Sequence, residues 1–342
     1  MQEEKTPKLS VCVVTYNHGH WLQECLQSIV DQVTDFPFEV IVGDDCSTDV
    51  ITKKVLQEFA HNYPNLIVPL LRDFNMGGAG TQNWFDVMRR ARGEYIAHID
   101  GDDRMLPGKL QKQSDFLDQH FDCAMVTHDL LKFDGETGNT IAEHFTHLHI
   151  PEITDMKFLL LNGCYFGHSS KMFRRSAMIT LFRDRLTVDI FLHIEHASKG
   201  NIGYIGEVLG EYRKSSRSHT DPRSGFYQKV LSGYCDAFDR ALELGVEPAV
   251  VIKGRLRFNY SVAYSALLSN DRAGFKKFLH IEREQYRYAS WKHHLFHTLR
   301  FCPTLVLLII KLNVAIYHRC SWRSKIYKEP KKNYASQSTD CK

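Results

Sequence analysis

The residues best suited to chemistry follow one apolar stretch in the first third of the chain. Residues 95–99 are typical of a buried strand, and Asp100, Asp102 and Asp103 come directly after it. Acids this close repel one another, so we expect a cation beside them. Oxygen ligands that leave room for phosphate favour Mg²⁺ or Mn²⁺ over zinc. Two interpretations are open at this point: a divalent metal that holds a nucleotide diphosphate, or a solvated acidic turn before a helix opened by Pro107.

The elements around this stretch predict a parallel α/β sheet. Apolar runs at residues 9–16, 38–43 and 66–71 are typical of strands buried on both faces, and apolar residues between them recur at helical spacing. Ser47 or Thr48 is placed to cap the second helix. Strands that alternate with helices, and end in carboxylates or polar turns, predict the α/β class. In such sheets, ligands bind outside the carboxyl ends of the strands.

Composition and charge limit the function classes. The 342 residues are 43% hydrophobic and 24% charged, which is ordinary for a soluble protein of one large or two smaller domains. The net charge of +3 combines a segment of +9, residues 287–332, with a body of −6. This distribution does not favour nucleic-acid binding, and it fits a basic tail that meets anionic lipid. Nine scattered cysteines and an N-terminus without an apolar core predict a cytoplasmic protein.

Several other motifs are absent or weak in the sequence. There is no G-x-x-x-x-G-K-[ST] phosphate loop, and residues 77–80 do not match a dinucleotide-binding pattern. We interpret His144, His147 and His149 as exposed loop residues rather than metal ligands, and the histidines at 293, 294 and 297 as surface charge.

Four stretches, in their order and spacing, resemble the family 2 glycosyltransferases, which are inverting enzymes of the GT-A fold. They are residues 13–17, residues 44–49, residues 75–77 with Asn83 and 93–96, and residues 100–103 with Leu106-Pro107. The resemblance covers roughly residues 8–215. It implies a GT-A domain at 1–220, a Rossmann-like mostly parallel sheet flanked by helices, followed by a helical C-terminal region at 221–342.

The resemblance assigns binding of the donor nucleotide to seven residues: Thr15, Tyr16, Asn17, Asp45, Asn75, Gly77 and Asp100. Among them, Asp45 is expected to accept the ring N–H of uracil, and Asp100 to hold the ribose or to reach the metal through water. Asp44 is open between a nucleotide contact and a cap for the following helix. Gln82 stands where family members often have Arg, so one basic donor contact of the family is missing here.

The resemblance also implies a Mn²⁺ or Mg²⁺ cofactor. Asp102 would be its direct ligand, and His219, which follows the closing segment Tyr212-Arg213, would complete its shell. The cofactor would neutralise the diphosphate as it leaves.

An inverting displacement needs one base that takes the proton of the acceptor hydroxyl. Residues 185–192 resemble the segment of the family that supplies it, so Asp189 is the expected base. A surface helix acid is the other interpretation of Asp189, and Asp184 is the alternative base. Upstream, residues 167–176 resemble the strand that lines the acceptor side.

The C-terminal third is predicted to be helical from about residue 224. Its most apolar segment, 301–317, is interrupted by Lys311 and is shorter than the ~20 residues that span a membrane. We expect residues 300–328 to lie on the inner face of the cell membrane, with a core helix as the alternative.

The sequence therefore predicts an inverting, metal-dependent glycosyltransferase that uses a UDP-sugar. We expect its acceptor to be a glycan or a lipid-linked glycan of cell-envelope polysaccharide biosynthesis. A sugar nucleotidyltransferase is one rival, although residues 15–20 lack the glycine-rich loop such enzymes carry. The other is a non-catalytic nucleotide-sugar or glycan-binding module.

Overall fold

The structure, a computed structural model, describes residues 6–179, 187–215, 227–268, 270–281 and 283–306, without the side chains of 227–229. The chain divides into two compact units, Met1–Phe258 and Asn259–Lys342. The strands are β1 (Leu9–Thr15), β2 (Phe38–Asp44), β3 (Ile67–Leu71), β4 (Tyr95–Asp100), β5 (Arg104–Met105), β6 (Cys123–Asp134), β7 (Thr140–Ala142), β8 (Ile153–Thr154), β9 (Met172–Arg174) and β10 (Asn201–Lys214). The α-helices are α1 (His20–Val30), α2 (Val50–Asn62), α3 (Thr81–Arg89), α4 (Lys109–Gln119), α5 (Met156–Asn162), α6 (Asp189–Ala197), α7 (Tyr227–Glu243), α8 (Pro248–Leu268), α9 (Arg272–Leu279) and α10 (Trp291–Thr298).

The strands form one mixed sheet in the order β3-β2-β1-β4-β9-β6-β10-β5. Strands β1 to β4 are parallel, and the short β9 runs antiparallel between β4 and β6. The register pairs Thr15 with Asp44 and Val14 with Asp100, so the turns after β1, β2 and β4 meet at one edge. The predicted α/β class and the GT-A type of architecture are confirmed.

Both faces of the sheet are buried. Successive residues of β1 belong to different hydrophobic clusters: Val11 and Val13 pack with Leu22 of α1, and Cys12 packs with Trp84 of α3. This explains the unbroken apolar run, because helices cover each face. A fully buried Val or Leu side chain stabilises the fold by roughly 1.5–3 kcal/mol.

The cap of α2 differs from the prediction. Asp49, not Ser47 or Thr48, accepts hydrogen bonds from the N–H groups at the start of the helix. Ser47 is unavailable because its backbone and hydroxyl both donate to the buried carboxylate of Asp44. Asp44 therefore closes the turn after β2, and its alternative role as a helix cap is wrong.

The second unit is built around α9, α10 and the end of α8, with Phe275, Leu279 and Phe296 in its core. The interpretation of His297 as surface charge is wrong, because it is 7% exposed and its Nδ1 accepts from the N–H of Ile281 at 3.0 Å. None of the helices among the described residues combines the length and the apolar character needed to cross a membrane. Of the predicted surface segment 300–328, residues 307–328 lie outside the described residues.

Candidate active site

Asn17 fastens the turn after β1 to the turn after β2. Its Oδ1 accepts from the backbone N–H groups of Thr48 at 2.8 Å and Asp49 at 3.0 Å, and its own N–H donates to Ser47 Oγ at 2.8 Å. Its φ of 56° lies in the left-handed region, which Asn tolerates better than most residues. The side-chain amide oxygen of Asn17 therefore shapes the rim of the predicted nucleotide site.

The turn after β1 also contacts the acidic turn after β4. Thr15 is buried and its hydroxyl lies 3.1 Å from Nδ1 of His18, while Tyr16 is 45% exposed at the rim. A Cβ on Gly101 would come within 2.9 Å of His18 Nδ1 and of Thr15 Cβ, so only glycine permits this approach. His18, for which no role is predicted from the sequence, therefore lies beside the acidic turn.

Asp45 holds the loop that carries Asn75 and Gly77. It is 2% exposed, and it accepts from the N–H of Met76 at 2.7 Å and from Asn75 Nδ2 at 3.1 Å. Burial raises the pKa of Asp45, and the bond from Met76 opposes this change. A carboxylate has about four acceptor positions, so Asp45 keeps capacity for a base N–H. Gly77 has a φ of 81°, a conformation that favours glycine.

Asp100 is an ionised carboxylate at the end of β4. Its Oδ1 lies 3.2 Å from Nε2 of His98, and its backbone N–H donates to Ser169 Oγ at 3.0 Å. Burial alone would raise its pKa, but His98, His18 and Ser169 outweigh this and hold the pKa below its usual value.

Asp103 is a buried anchor, contrary to the interpretation of a solvated acidic turn. It is 1% exposed, and one oxygen accepts from the N–H of Arg213 at 2.8 Å. Burial, Asp102 and Asp100 raise its pKa well above the ordinary value. Arg213 also donates from Nε to the carbonyl of Asp102 at 2.7 Å. The end of β10 is therefore fixed to the acidic turn.

The acidic turn fits a divalent cation in its donor chemistry. Burial and then Asp100 raise the pKa of Asp102, as expected where negative charge is incompletely neutralised. Lys109 balances only part of this charge, because it is 1% exposed and burial lowers its pKa to about 7, which Asp103 opposes. Within the described ranges, no three His, Cys, Asp or Glu side chains are grouped to share one ion. An ion here would thus need oxygens of the donor phosphates beside Asp102; His219 lies outside the described residues.

Asp189 is the first residue of α6. Its side chain is 63% exposed, and its Oδ1 lies 3.8 Å from Nδ1 of His168. Reduced solvation in the crevice and then the charge of Asp100 raise the pKa of Asp189 to about 6, while Lys171 opposes the change. Such a carboxylate is ionised at neutral pH and is a better proton acceptor than an ordinary one. Asp184, the alternative base, lies outside the described residues.

Lys171, just before β9, is an unusual residue behind Asp189. It is 0% exposed, and its Nζ makes no hydrogen bond within the described part of the chain. The amine lies 5.5 Å from the ring centroid of Trp84 and 5.7 Å from that of Phe173. Burial lowers its pKa to about 7, against the attraction of Asp189 and Asp100. The sequence carries no clear signal for this burial, because only Met172 and Phe173 separate Lys171 from the arginines that follow.

Four buried histidines surround Lys171: His98, His168, His193 and His196. Burial first of all lowers the pKa of each below the ordinary value, so the rings are neutral at pH 7. The His98 and His168 rings are 4.2 Å apart, and those of His168 and His193 are 5.4 Å apart. The wall of the crevice behind Asp189 is therefore polar but carries few charges.

Comparisons with known proteins agree with this architecture. The profile of "Glycosyl transferase family 2" matches residues 10–182. The uncharacterized protein Rv1520 of Mycobacterium tuberculosis is 31% identical over 242 residues, which are 69% of this chain and 68% of that protein. The poly(ribitol-phosphate) beta-N-acetylglucosaminyltransferase TarS of Staphylococcus aureus is 34% identical over 150 residues, 43% of this chain and 24% of TarS.

A crystal structure of S. aureus TarS shares the fold of this chain. The match has a TM-score of 0.59 at 20% identity, and it covers 86% of this chain and 51% of that one. A family profile that spans half of the chain and a fold of the GT-A type lead to one conclusion. The chain belongs to glycosyl transferase family 2 and is a glycosyltransferase.

Proposed function

We propose that the protein transfers a sugar from a UDP-sugar, with inversion, to a hydroxyl of a glycan or lipid-linked glycan. The observation that carries this proposal is the pairing of two kinds of carboxylate at one crevice. Asp100 ends β4 and Asp102 lies in the turn after it, and Asp189 begins α6 within reach of the charge of Asp100. Asp100 and Asp102 would hold the diphosphate, and Asp189 would accept a proton. A single displacement requires both functions.

The donor would lie along the turns that follow β1, β2 and β4. Asp45 is buried at the end of β2 and retains acceptor positions for a base N–H. Asp100, whose carboxylate lies 3.2 Å from Nε2 of His98, would accept a hydrogen bond from ribose. A Mg²⁺ or Mn²⁺ ion bound by Asp102 would supply positive charge to the departing diphosphate. The relative TarS is named as an N-acetylglucosaminyltransferase, which supports a nucleotide-sugar donor for this protein.

Asp189 would act on the acceptor. Its carboxylate takes the proton from the acceptor hydroxyl as that oxygen attacks the anomeric carbon and the bond to the diphosphate breaks. The new bond forms on the face opposite the leaving group, so the configuration inverts. Both groups of acids act on Tyr212: burial and then Asp103, Asp189, Asp100 and Asp102 raise the pKa of its hydroxyl.

The test is a panel of nucleotide sugars with Mn²⁺, with consumption of each donor and binding of UDP measured on the same samples. We expect one UDP-sugar to be consumed, Asp102→Ala to lose both UDP affinity and turnover, and Glu58→Gln, an exposed acid of α2, to behave like wild type. Proton NMR of the first product gives the anomeric configuration. Binding of a donor that no acceptor extract consumes would instead support a non-catalytic module.

We also propose that the basic C-terminal segment 300–328 contacts a membrane surface. Trp291 is 70% exposed and Phe301 is 64% exposed, so the second unit presents large apolar side chains to solvent. Flotation with vesicles tests this: we expect binding to phosphatidylglycerol vesicles that decreases with salt and with Trp291→Ser plus Phe301→Ser. Equal recovery with phosphatidylcholine alone would contradict it.

A further inference from the structure

Two lysines lie side by side where β6 and β10 end. The strands run parallel, and the register pairs Tyr212 with Lys132 and Lys214 with Asp134. Paired residues in parallel strands, and residues two apart on one strand, share a face of the sheet. Lys132, Asp134, Tyr212 and Lys214 are therefore on one face, where the carboxylate of Asp134 accepts hydrogen bonds from the N–H groups of Glu136 and Thr137. Neither ammonium group makes an ion pair with a carboxylate among the residues that the structure describes.

An anchored segment brings an aromatic ring to the same place. Asp129 of β6 accepts from the N–H of Phe145 at 2.8 Å, and its other oxygen lies 2.6 Å from Nδ1 of His144. Lys132 Nζ donates to the carbonyl of Phe145 at 2.7 Å. These contacts fix the backbone at Phe145 although the segment lies between elements of regular structure.

The lysines and the aromatic rings form one surface. Lys132 Nζ lies 4.1 Å from the ring centroid of Phe145, and Lys214 Nζ lies 5.1 Å from that of Tyr212. The two rings are 6.1 Å apart at 75°. All four side chains are partly exposed, so a ligand can reach them. We call Lys132, Lys214, Phe145 and Tyr212 the lysine–aromatic surface.

The charges on this surface are incompletely balanced. Burial and then Lys214 lower the pKa of Lys132, which Asp129 opposes, and burial lowers the pKa of Lys214, which Asp103 opposes. Like charges in a partly desolvated place destabilise each other, and an anion bound between them relieves the repulsion. Burial and then Asp103 and Asp189 raise the pKa of the Tyr212 hydroxyl, so the proposed base is within electrostatic range of this surface.

We propose that the lysine–aromatic surface is an acceptor subsite that binds an anionic group of the glycan, a phosphodiester or a carboxylate, with a sugar ring against the aromatic side chains. The proposal rests on the proposed function and specifies its acceptor as a polyanion. Asp100, Asp102, Asp103 and Asp189 would repel such a glycan, so its approach needs positive charge beside the crevice. The two lysines would supply this charge.

The experiment measures binding by the full chain, with and without UDP. The probes are three oligomers of equal length: a ribitol-phosphate oligomer, a polyuronic acid and a neutral glucan. We expect at least one anionic oligomer to bind more tightly than the glucan, and Lys132→Met plus Lys214→Met to weaken it by about tenfold or more. The matched control is Lys112→Met plus Lys157→Met, two lysines outside this surface, which should bind like wild type. The two anionic probes distinguish a phosphodiester from a carboxylate.

The outcomes separate this inference from the proposed function. The affinity for UDP should be the same in wild type and in the lysine double variant; a loss of UDP affinity would show that the lysines serve the donor and would overturn the subsite. Equal binding of all three oligomers, or unchanged binding by the double variant, would also overturn it while UDP binding leaves the donor site intact. Binding of an anionic oligomer without any binding of UDP would support the subsite and contradict the proposed donor.

Discussion

At the scale of single residues, the site depends on carboxylates with different ionisation. Asp100 has a pKa below its ordinary value, whereas that of Asp189 is raised to about 6. Desolvation raises the pKa of both carboxyls. The two pKa values differ because of neighbouring groups: Asp100 has His98 at 3.2 Å. One acid is therefore suited to holding polar groups of a donor and the other to taking a proton.

The pKa of Asp189 predicts the pH dependence of transfer. A base acts only when it is deprotonated, so kcat/KM should be constant above about pH 7 and fall as the pH decreases through about 6. The measurement is initial-rate kinetics from pH 5 to 8.5, with UDP affinity as a control for donor binding. A value of kcat/KM that stays constant down to pH 5, as expected for an ordinary carboxyl with a pKa near 4, would contradict the assignment.

Lys171 should influence both activity and stability. Its pKa is about 7 in the folded state and near 10.5 in the unfolded state, so below pH 7 folding must bury an ammonium group. We expect Lys171→Met to increase the free energy of unfolding at pH 6–7 by roughly 1–3 kcal/mol, with a gain that shrinks as the pH rises toward 10. The lysine lowers the pKa of Asp189, so its loss should also move the acid limb of kcat/KM to higher pH.

Urea unfolding and the pH profile of the same variant check these two effects. Lys171→Arg is the matched control, since it keeps the charge and should keep the acid limb near that of wild type. A destabilised Lys171→Met protein with an unchanged acid limb would mean that Lys171 only fills space.

At the scale of elements, the turns after strands are joined by polar contacts rather than by apolar packing. Asn17 joins the turns after β1 and β2, Asp45 joins β2 to the Asn75 loop, and Asp103 joins β4 to β10. These contacts leave carboxylates at the rim while fixing the backbone beneath them.

The link between Asp103 and Arg213 gives a prediction at this scale. Asp103→Leu leaves the buried N–H of Arg213 without an acceptor and should destabilise the fold by about 1–3 kcal/mol. Asp103→Asn keeps an acceptor and should be closer to wild type. Chemical denaturation of both variants tests this, and equal stability of Asp103→Leu and wild type would contradict the structural role.

A feature of this protein could be predicted from the sequence where the residues that cause it are close together along the chain. Carboxylates after buried strands are local, and the parallel register brings Asp44 and Asp100 to one edge. The burial of Lys171 is not local, since it requires Trp84 of α3 and Phe173 of β9 to pack around it. The cap at Asp49 was missed because Ser47 is occupied by Asp44, a contact that propensities do not reveal.

At the scale of the whole molecule, the fold places a polar interior beneath the crevice. The α/β class could be predicted because apolar runs and helical spacing alternate over the first hundred residues. The reversed β9 between β4 and β6 could not, since it is three residues long and its pairing is set by distant strands. The burial of His98, which lies on β4 beside β9, depends on the same pairing.

These histidines predict the response of the first unit to acid. Four of them have pKa values below the ordinary value in the folded state, so below about pH 6.5 the unfolded chain binds more protons than the folded one. The free energy of unfolding should therefore decrease as the pH falls from 7 to 5.5. Urea denaturation at these two pH values checks this, and equal or greater stability at pH 5.5 would contradict neutral buried rings.

The most direct test of the account is the rate of sugar transfer by Asp189→Asn, measured in a single turnover with the donor identified by the panel. The account predicts a loss of about 10²–10⁴-fold in the transfer rate with an unchanged affinity for UDP, because the base is removed and the donor site is kept. Glu207→Gln, an exposed acid of β10, serves as the control. Transfer by Asp189→Asn at the rate of wild type would contradict Asp189 as the base and with it the proposed division of the crevice.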